Sequence, residues 1–131
     1  MKQLPAGVLV FSGGGIGATL RYLFTLVLPD ATFPQSTLFI NLFGALILGF
    51  LTAILADSRT PRARTLRLGL GTGMMGGFTT YSTFALQNVE LIGQGYYMLS
   101  VAYILVSLAF GALFCWLGFT LAARLKGRPS P

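Results

Sequence analysis

Near the middle of the chain, the run Gly76-Gly77-Phe78-Thr79-Thr80-Tyr81-Ser82-Thr83-Phe84 sets two glycines ahead of a dense series of hydroxyl and aromatic side chains. Hydroxyls donate and accept hydrogen bonds without titrating near neutral pH, and aromatic rings carry positive partial charge at their edges. Two further sets of residues fall at helical spacing. Thr37, Asn41 and Gly44 are separated by 4 and 3, and Ser100, Tyr103, Ser107 and Gly111 by 3, 4 and 4, so each set lies on one face of a helix. Hydroxyls, a carboxamide and ring edges together suit a path for a small anion. The chain has no His and a single cysteine, Cys115, which excludes a Cys/His zinc site and an intramolecular disulfide. No carboxylate, histidine or lysine stands near the middle of an apolar stretch. A proton relay or carboxylate-coupled exchanger therefore lacks its residue, and no nucleophile–base pair for an enzyme can be assembled.

The elements that must hold these residues are membrane helices. Of 131 residues, 54% are hydrophobic and 9% charged, with a mean hydropathy of +0.76, whereas a soluble domain carries about a quarter charged residues. Apolar stretches at about 6–28, 33–56, 66–93 and 97–122 fill almost the whole length. They predict an all-α membrane protein, with residues 1–131 forming one domain of four transmembrane helices. Pro29-Asp30 with Pro34, then Asp57-Ser58-Arg59-Thr60-Pro61, then Gly93-Gln94-Gly95 read as the turns between them. The first stretch is read as a retained helix, not a signal peptide, because Gly13, Gly14, Gly15 and Gly17 interrupt it and it carries Arg21. The net charge of +6 sits in loops and tails. Lys2, Arg59, Arg62, Arg64, Arg67, Arg124, Lys126 and Arg128 share one side, eight of the nine basic residues, against Arg21 alone toward the other. That bias predicts cytoplasmic termini and explains the charge without any nucleic-acid partner.

As unbroken helix the third stretch would run to about 42 Å, longer than a hydrocarbon core of about 30 Å. Its centre falls on Thr79-Thr80, beside Gly76-Gly77, where helix propensity is low. A break is expected there, at mid-membrane, and such a break is tolerated only when buried in protein, lining water or holding an ion. Gly13 with Gly17, Gly69 with Gly73 and Gly73 with Gly77 are spaced for close helix contact. The remaining polar groups occupy only half the depth: Thr37 and Asn41, Ser100 to Ser107, and Arg21 with Glu90, which lie at a depth that allows them to pair. One copy thus supplies half of a route, and an inverted second copy completes it. Asn41 either lines this path or bonds a neighbouring helix. Tyr103 and Ser107 either line it or are satisfied locally, and Arg21 either adds positive potential at a mouth or snorkels to headgroups.

Three segments carry a resemblance: Gly14-Gly15-Ile16-Gly17-Ala18-Thr19-Leu20-Arg21-Tyr22, Thr37-Leu38-Phe39-Ile40-Asn41-Leu42-Phe43-Gly44, and Gly73-Met74-Met75 running on through Phe84. They closely resemble the Fluc (CrcB-type) fluoride channels, over essentially the whole chain. The resemblance implies a fluoride-selective ion channel of the bacterial or archaeal inner cell membrane that passively exports fluoride. It implies an antiparallel, dual-topology dimer with two pores. It also implies a central structural Na⁺ held by backbone carbonyls, for which Gly76 and Thr79 match. The matching pore asparagine is Asn41, and the polar track matches Thr80, Ser82, Thr83, Tyr103 and Ser107. Thr37 is counted with them from its helix face, and Gly111 lies where some members have serine. Of the two phenylalanines beside the family's path, Phe84 matches one and Tyr81 stands where the other would be. Arg21 matches a basic residue of the vestibule. The expected partner is a second copy, while the bias of eight basic residues against one leaves open a heterodimer with an oppositely biased sister chain.

Two other readings compete. A small multidrug-type exporter also uses four short helices in an antiparallel dimer, but needs a glutamate in its first span, and this chain has none there. A non-transporting membrane subunit would account for the glycine spacings. It leaves Asn41 and the hydroxyl run without a purpose, and it predicts that Asn41→Leu preserves both stability and function.

Overall fold

Prolines start the first two helices. Pro5 precedes α1, Ala6–Val27, and Pro34 precedes α2, Gln35–Leu55, where the fixed φ and missing N–H of proline cost nothing. The first turn of α2 is also capped at a distance, Asp30 Oδ1 accepting the Ser36 amide at 2.7 Å. The structure, a computed structural model, describes residues 4–127 and is all-helical across them. Lys2 and Arg128, two of the basic residues counted above, lie outside the described residues.

The third stretch begins earlier than its apolar run. Helix α3, Pro61–Leu66, starts ahead of the expected 66 because Pro61 opens it and Thr60 Oγ1 accepts the Ala63 amide at 3.2 Å. It passes into a π-helical segment, Arg67–Met75, then into the short α4, Gly76–Phe78. Gly69, Gly71 and Gly73 weaken the preference for regular α-helix in that segment, so wider winding meets little resistance. After Thr79 and Thr80, both extended, α5 runs over Tyr81–Gly93 and α6 over Tyr97–Leu125. Gly95, at φ +84°, makes the turn between them, and the Tyr96 amide returns to the Leu91 carbonyl at 2.8 Å.

Glycines set the packing. α1 lies against the π-helical segment and α4 backbone to backbone: a Cβ on Gly13 would strike the Gly69 carbonyl, one on Gly17 the Met74 carbonyl, and one on Gly77 the Gly14 carbonyl. α2 meets α6 in the same way, Gly49 against Cys115 and Gly118 against Leu46. The spaced glycines are thus close-packing positions, as their periodicity predicts. Two apolar clusters fill the interior. Ile40, Met75 and Phe78 pack beside α1, while Leu38, Leu42, Leu91 and Tyr103 pack toward α6.

Three helices, Ala6–Val27, Gln35–Leu55 and Tyr97–Leu125, are long and apolar enough to cross a membrane. Large apolar side chains such as Phe11, Met98 and Leu108 point outward, exposed by 84%, 80% and 65%, as hydrocarbon solvent permits. The two ends differ in charge. Ala6 shares a cavity wall with Arg59, Arg64 and Arg67, and Lys126 Nζ reaches Asp57 Oδ2 at 3.5 Å and the Ala53 carbonyl at 3.1 Å, so the start of α1 and the ends of α2 and α6 meet at a basic end. Asp30 and Glu90 line a cavity where the α1–α2 loop meets the end of α5.

Candidate functional site

The interruption between α4 and α5 is closed by a side chain from α2. The Thr80 amide, which would continue the helical ladder to the Gly76 carbonyl, donates instead to Asn41 Oδ1 at 2.8 Å. Asn41 Nδ2 donates in return to the Thr80 carbonyl at 3.0 Å. One carboxamide thus pairs both backbone groups of one residue, as an adjacent strand would. Each end of that carboxamide keeps one more hydrogen-bonding capacity.

The hydroxyls around Thr80 form a short chain. Thr80 Oγ1 caps α5 by accepting the Thr83 amide at 3.2 Å, donates to Thr83 Oγ1 at 2.9 Å and lies 3.3 Å from Ser82 Oγ. Thr79 faces the other way: its Oγ1 donates to the Met75 carbonyl at 2.8 Å, and its methyl sits where a side chain on Gly44 would be. Arg21 Nη1 donates to the Thr79 carbonyl at 3.4 Å. The pair between Arg21 and Glu90 is therefore not made, since the guanidinium turns to the half-buried carbonyl of Thr79 where α4 ends. Arg21, Thr25, Thr37, Thr80 and Thr83, with Ile40, line a cavity of about 230 Å³ beside the interruption.

On the far side of α5, Phe84 stacks at a tilt on Tyr103 with ring centroids 4.9 Å apart, and Phe33 meets Tyr103 edge-on at 5.4 Å. The Tyr103 hydroxyl donates to Gln87 Oε1 at 3.1 Å, and Gln87 Nε2 donates to Asp30 Oδ2 at 3.1 Å. Because a carboxylate only accepts, Asp30 fixes which way the Gln87 amide faces and so where the Tyr103 proton goes. Nearby, Ser100 Oγ donates to Asn88 Oδ1 at 2.8 Å, and Asn88 Nδ2 donates to the Phe84 carbonyl at 2.8 Å. Ser107 differs from these. Among the described residues its Oγ is the buried side-chain polar atom without a partner.

Thus Arg21, Thr37, Asn41, Thr79, Thr80 and Thr83 converge on the interruption, and Phe84 with Tyr103 forms a second group. Tyr81 touches Phe84 at a centroid distance of 6.0 Å yet is 81% exposed, and Ser82 is exposed beside it. Gly76 is also exposed. With Thr72, Met75 and Thr79 it lines a cavity of about 540 Å³ open on the chain's surface, and a Cβ there would meet nothing within 4 Å. Asp30, Gln87 and Asn88 are the polar residues that the spacing argument passed over. Their signal was present: Thr80, Thr83 and Gln87 step by 3 and 4, and a carboxamide in an apolar helix carries the same cost at 87 or 88 as at 41.

Could the centre hold a cation? Gly76 and Thr79 offer uncharged carbonyl oxygens, the donor type that suits a hard monovalent ion. The amide that would occupy the Gly76 carbonyl has turned to Asn41, and Thr79 keeps a lone pair beyond its long bond to Arg21. The donor type thus fits such an ion, which at Thr79 would share its oxygen with the Arg21 guanidinium. Among the described residues no cluster of three or more His, Cys, Asp or Glu offers a rival metal site.

The family model described as CrcB-like protein, Camphor Resistance (CrcB), matches residues 8–119. The chain belongs to the CrcB family. The match takes in α1, α2, the interrupted stretch and most of α6, hence every residue of the site. A relative in Beijerinckia indica, named Fluoride-specific ion channel FluC, is 45% identical over 125 residues, covering 91% of this chain and 97% of its own length. Fluoride-specific ion channel FluC 2 of Staphylococcus saprophyticus is 38% identical over 117 residues, covering 89% and 96%. Fluoride-specific ion channel FluC 1 of a Staphylococcus aureus strain is 38% identical over 121 residues, covering 91% and 98%. CrcB membership and the long apolar helices together make this a multi-pass membrane protein.

Proposed function

We propose that the chain forms a fluoride-selective channel that lets fluoride leave the cell down its gradient, acting in the inner cell membrane as an antiparallel dimer. The observation that carries the reading is 45% identity over nearly the full length to a relative named as a fluoride-specific ion channel. Relatives so named are channels, and the reading requires no catalytic step. Fluoride is strongly hydrated, so a path must replace its water with donors. Thr37, Ser82, Thr83 and Ser107 supply hydroxyls, Asn41 a carboxamide N–H, and Tyr81 with Phe84 ring edges, while Thr80 and Tyr103 would donate only by releasing their present bonds to Thr83 and Gln87. The unpartnered Ser107 Oγ supports this, because a buried hydroxyl without a bond is costly unless something transient uses it. Arg21 raises the potential of the vestibule for an anion.

What one copy leaves open supports the dimer. Gly76, Tyr81 and Ser82 lie on the outer surface of a single chain, and the interruption beside them sits near mid-membrane in this reading. An inverted copy covers that surface and continues the polar track across the other leaflet. The Gly76 and Thr79 carbonyls of both copies would hold Na⁺, whose charge offsets the carbonyl ends where the helices break. An exporter is disfavoured by the lack of an acid in α1.

Anion efflux from liposomes containing only this chain tests the proposal, with K⁺ clamped by valinomycin and fluoride compared with chloride. Rapid fluoride release without chloride release is expected. Equal release of both, or none from folded dimer, overturns it.

A further inference from the structure

The loop between α1 and α2 is built onto Tyr103 at two points. Phe33 meets the Tyr103 ring edge-on at 5.4 Å, and Asp30 reaches the Tyr103 hydroxyl through Gln87. In that chain Tyr103 Oη donates to Gln87 Oε1 at 3.1 Å, and Gln87 Nε2 donates to Asp30 Oδ2 at 3.1 Å. Both oxygens of Asp30 are engaged, because Oδ1 accepts the Ser36 amide at 2.7 Å where α2 begins. The loop is pinned as well, Gln35 Nε2 donating to the Pro29 carbonyl at 3.0 Å. Asp30 is thus a fixed acceptor at an exposed end of the chain of bonds, and Tyr103 is wholly buried at the other.

A phenol has one proton, and a carboxamide has one donating and one accepting end. With a carboxylate outermost, Gln87 turns its NH₂ outward and its oxygen inward, and that oxygen takes the single proton of Tyr103. None is left for an ion. An amide at position 30 would reverse the order. Its oxygen would still accept from Ser36, its NH₂ would face Gln87, and Gln87 would turn its own NH₂ to the Tyr103 oxygen. The phenol would then accept, with its proton free. We propose that Asp30 is a positioning residue of the channel: acting through Gln87, it withholds the Tyr103 proton from the path, so that fluoride is held less tightly and leaves more readily. Conduction needs this balance, since an ion bound by every available donor does not move on. The inference rests on the fluoride reading for what passes Tyr103, and on the hydrogen bonds alone for the direction of the proton.

The test measures fluoride efflux against fluoride concentration in liposomes of the full-length chain, and thermal unfolding of the same proteins in detergent. D30N should lower the concentration for half-maximal flux about five-fold, the size of one net hydrogen bond. Q87M removes the acceptor itself and should do the same, so it decides if D30N does not fold. D30N/Q87E should return toward the native value, because the carboxylate then placed at position 87 can only accept and takes the Tyr103 proton back. E90Q removes a carboxylate from the cavity that Asp30 also lines, outside this chain of bonds, and should leave the value unchanged. In a Y103F background D30N should have no effect on flux, and its loss of unfolding temperature should be smaller than in the native background. Equal effects of D30N with and without the Tyr103 hydroxyl, an equal effect of E90Q, or no recovery in D30N/Q87E would each overturn the role of Asp30 while the fluoride reading stood. A folded native chain that releases no fluoride would overturn that reading and, with it, any role of Asp30 in a path.

Discussion

Asn41 shows how one polar residue in an apolar helix can hold a discontinuity in another. Its carboxamide satisfies the Thr80 N–H and C=O, which the end of the helical ladder leaves open. Asn41→Leu strands both groups and should lower stability by about 1–3 kcal/mol, measured by thermal unfolding in detergent, with fluoride flux reduced as well. An Asn41→Leu protein as stable as the native one, in a chain whose native form passes no fluoride, would instead favour the non-transporting subunit. Phe84 is the second telling residue, because its ring touches both Tyr103 and Tyr81. Phe84→Ile keeps much of the volume but loses the ring edge, so liposome flux should fall while the dimer peak in size-exclusion chromatography is unchanged.

Among the elements, the interrupted stretch depends on its neighbours more than on its own propensity. α5 has 13 residues and α4 only 3, too short to be stable helices in isolation. They are held by α1 pressing glycine to glycine on one side and by α2 through Asn41 on the other. Two glycine substitutions should therefore behave differently. In Gly17→Ala the new Cβ collides with Met74 and lies 2.8 Å from Phe78 N, so the single chain itself is overpacked and loses about 1–3 kcal/mol. In Gly76→Ala the Cβ meets nothing within 4 Å of its own chain. If the proposed dimer forms, any loss of dimer or of Na⁺-dependent stability in Gly76→Ala, seen by unfolding with and without Na⁺, reads the contact with the second copy.

For the whole molecule, most of the described charges segregate: Arg59, Arg62, Arg64, Arg67, Arg124 and Lys126 at one end with Asp57 among them, Asp30 and Glu90 at the other with Arg21 on their side. That polarity favours one orientation on insertion, yet it also makes two inverted copies electrostatically complementary side by side. Efflux by this chain alone, with no sister chain present, is the outcome expected of a homodimer.

Composition and periodicity were enough to determine an all-helical membrane chain, the turns at proline and glycine, and the glycine faces, because each rests on local propensity or on one helix's own face. The same holds for most of the polar residues: an Asn or a hydroxyl run in an apolar stretch is costly wherever the helix points. What those residues bond to was decided only by tertiary structure. Asn41 and Thr80 lie 39 positions apart in sequence, Arg21 and Thr79 are 58 apart, and Asp30 and Gln87 are 57 apart. No spacing rule reaches across such separations. Only the packing of α1 and α2 around the interrupted helix sets which backbone group each side chain meets, and it turned Arg21 from a possible ion pair with Glu90 to the carbonyl of Thr79.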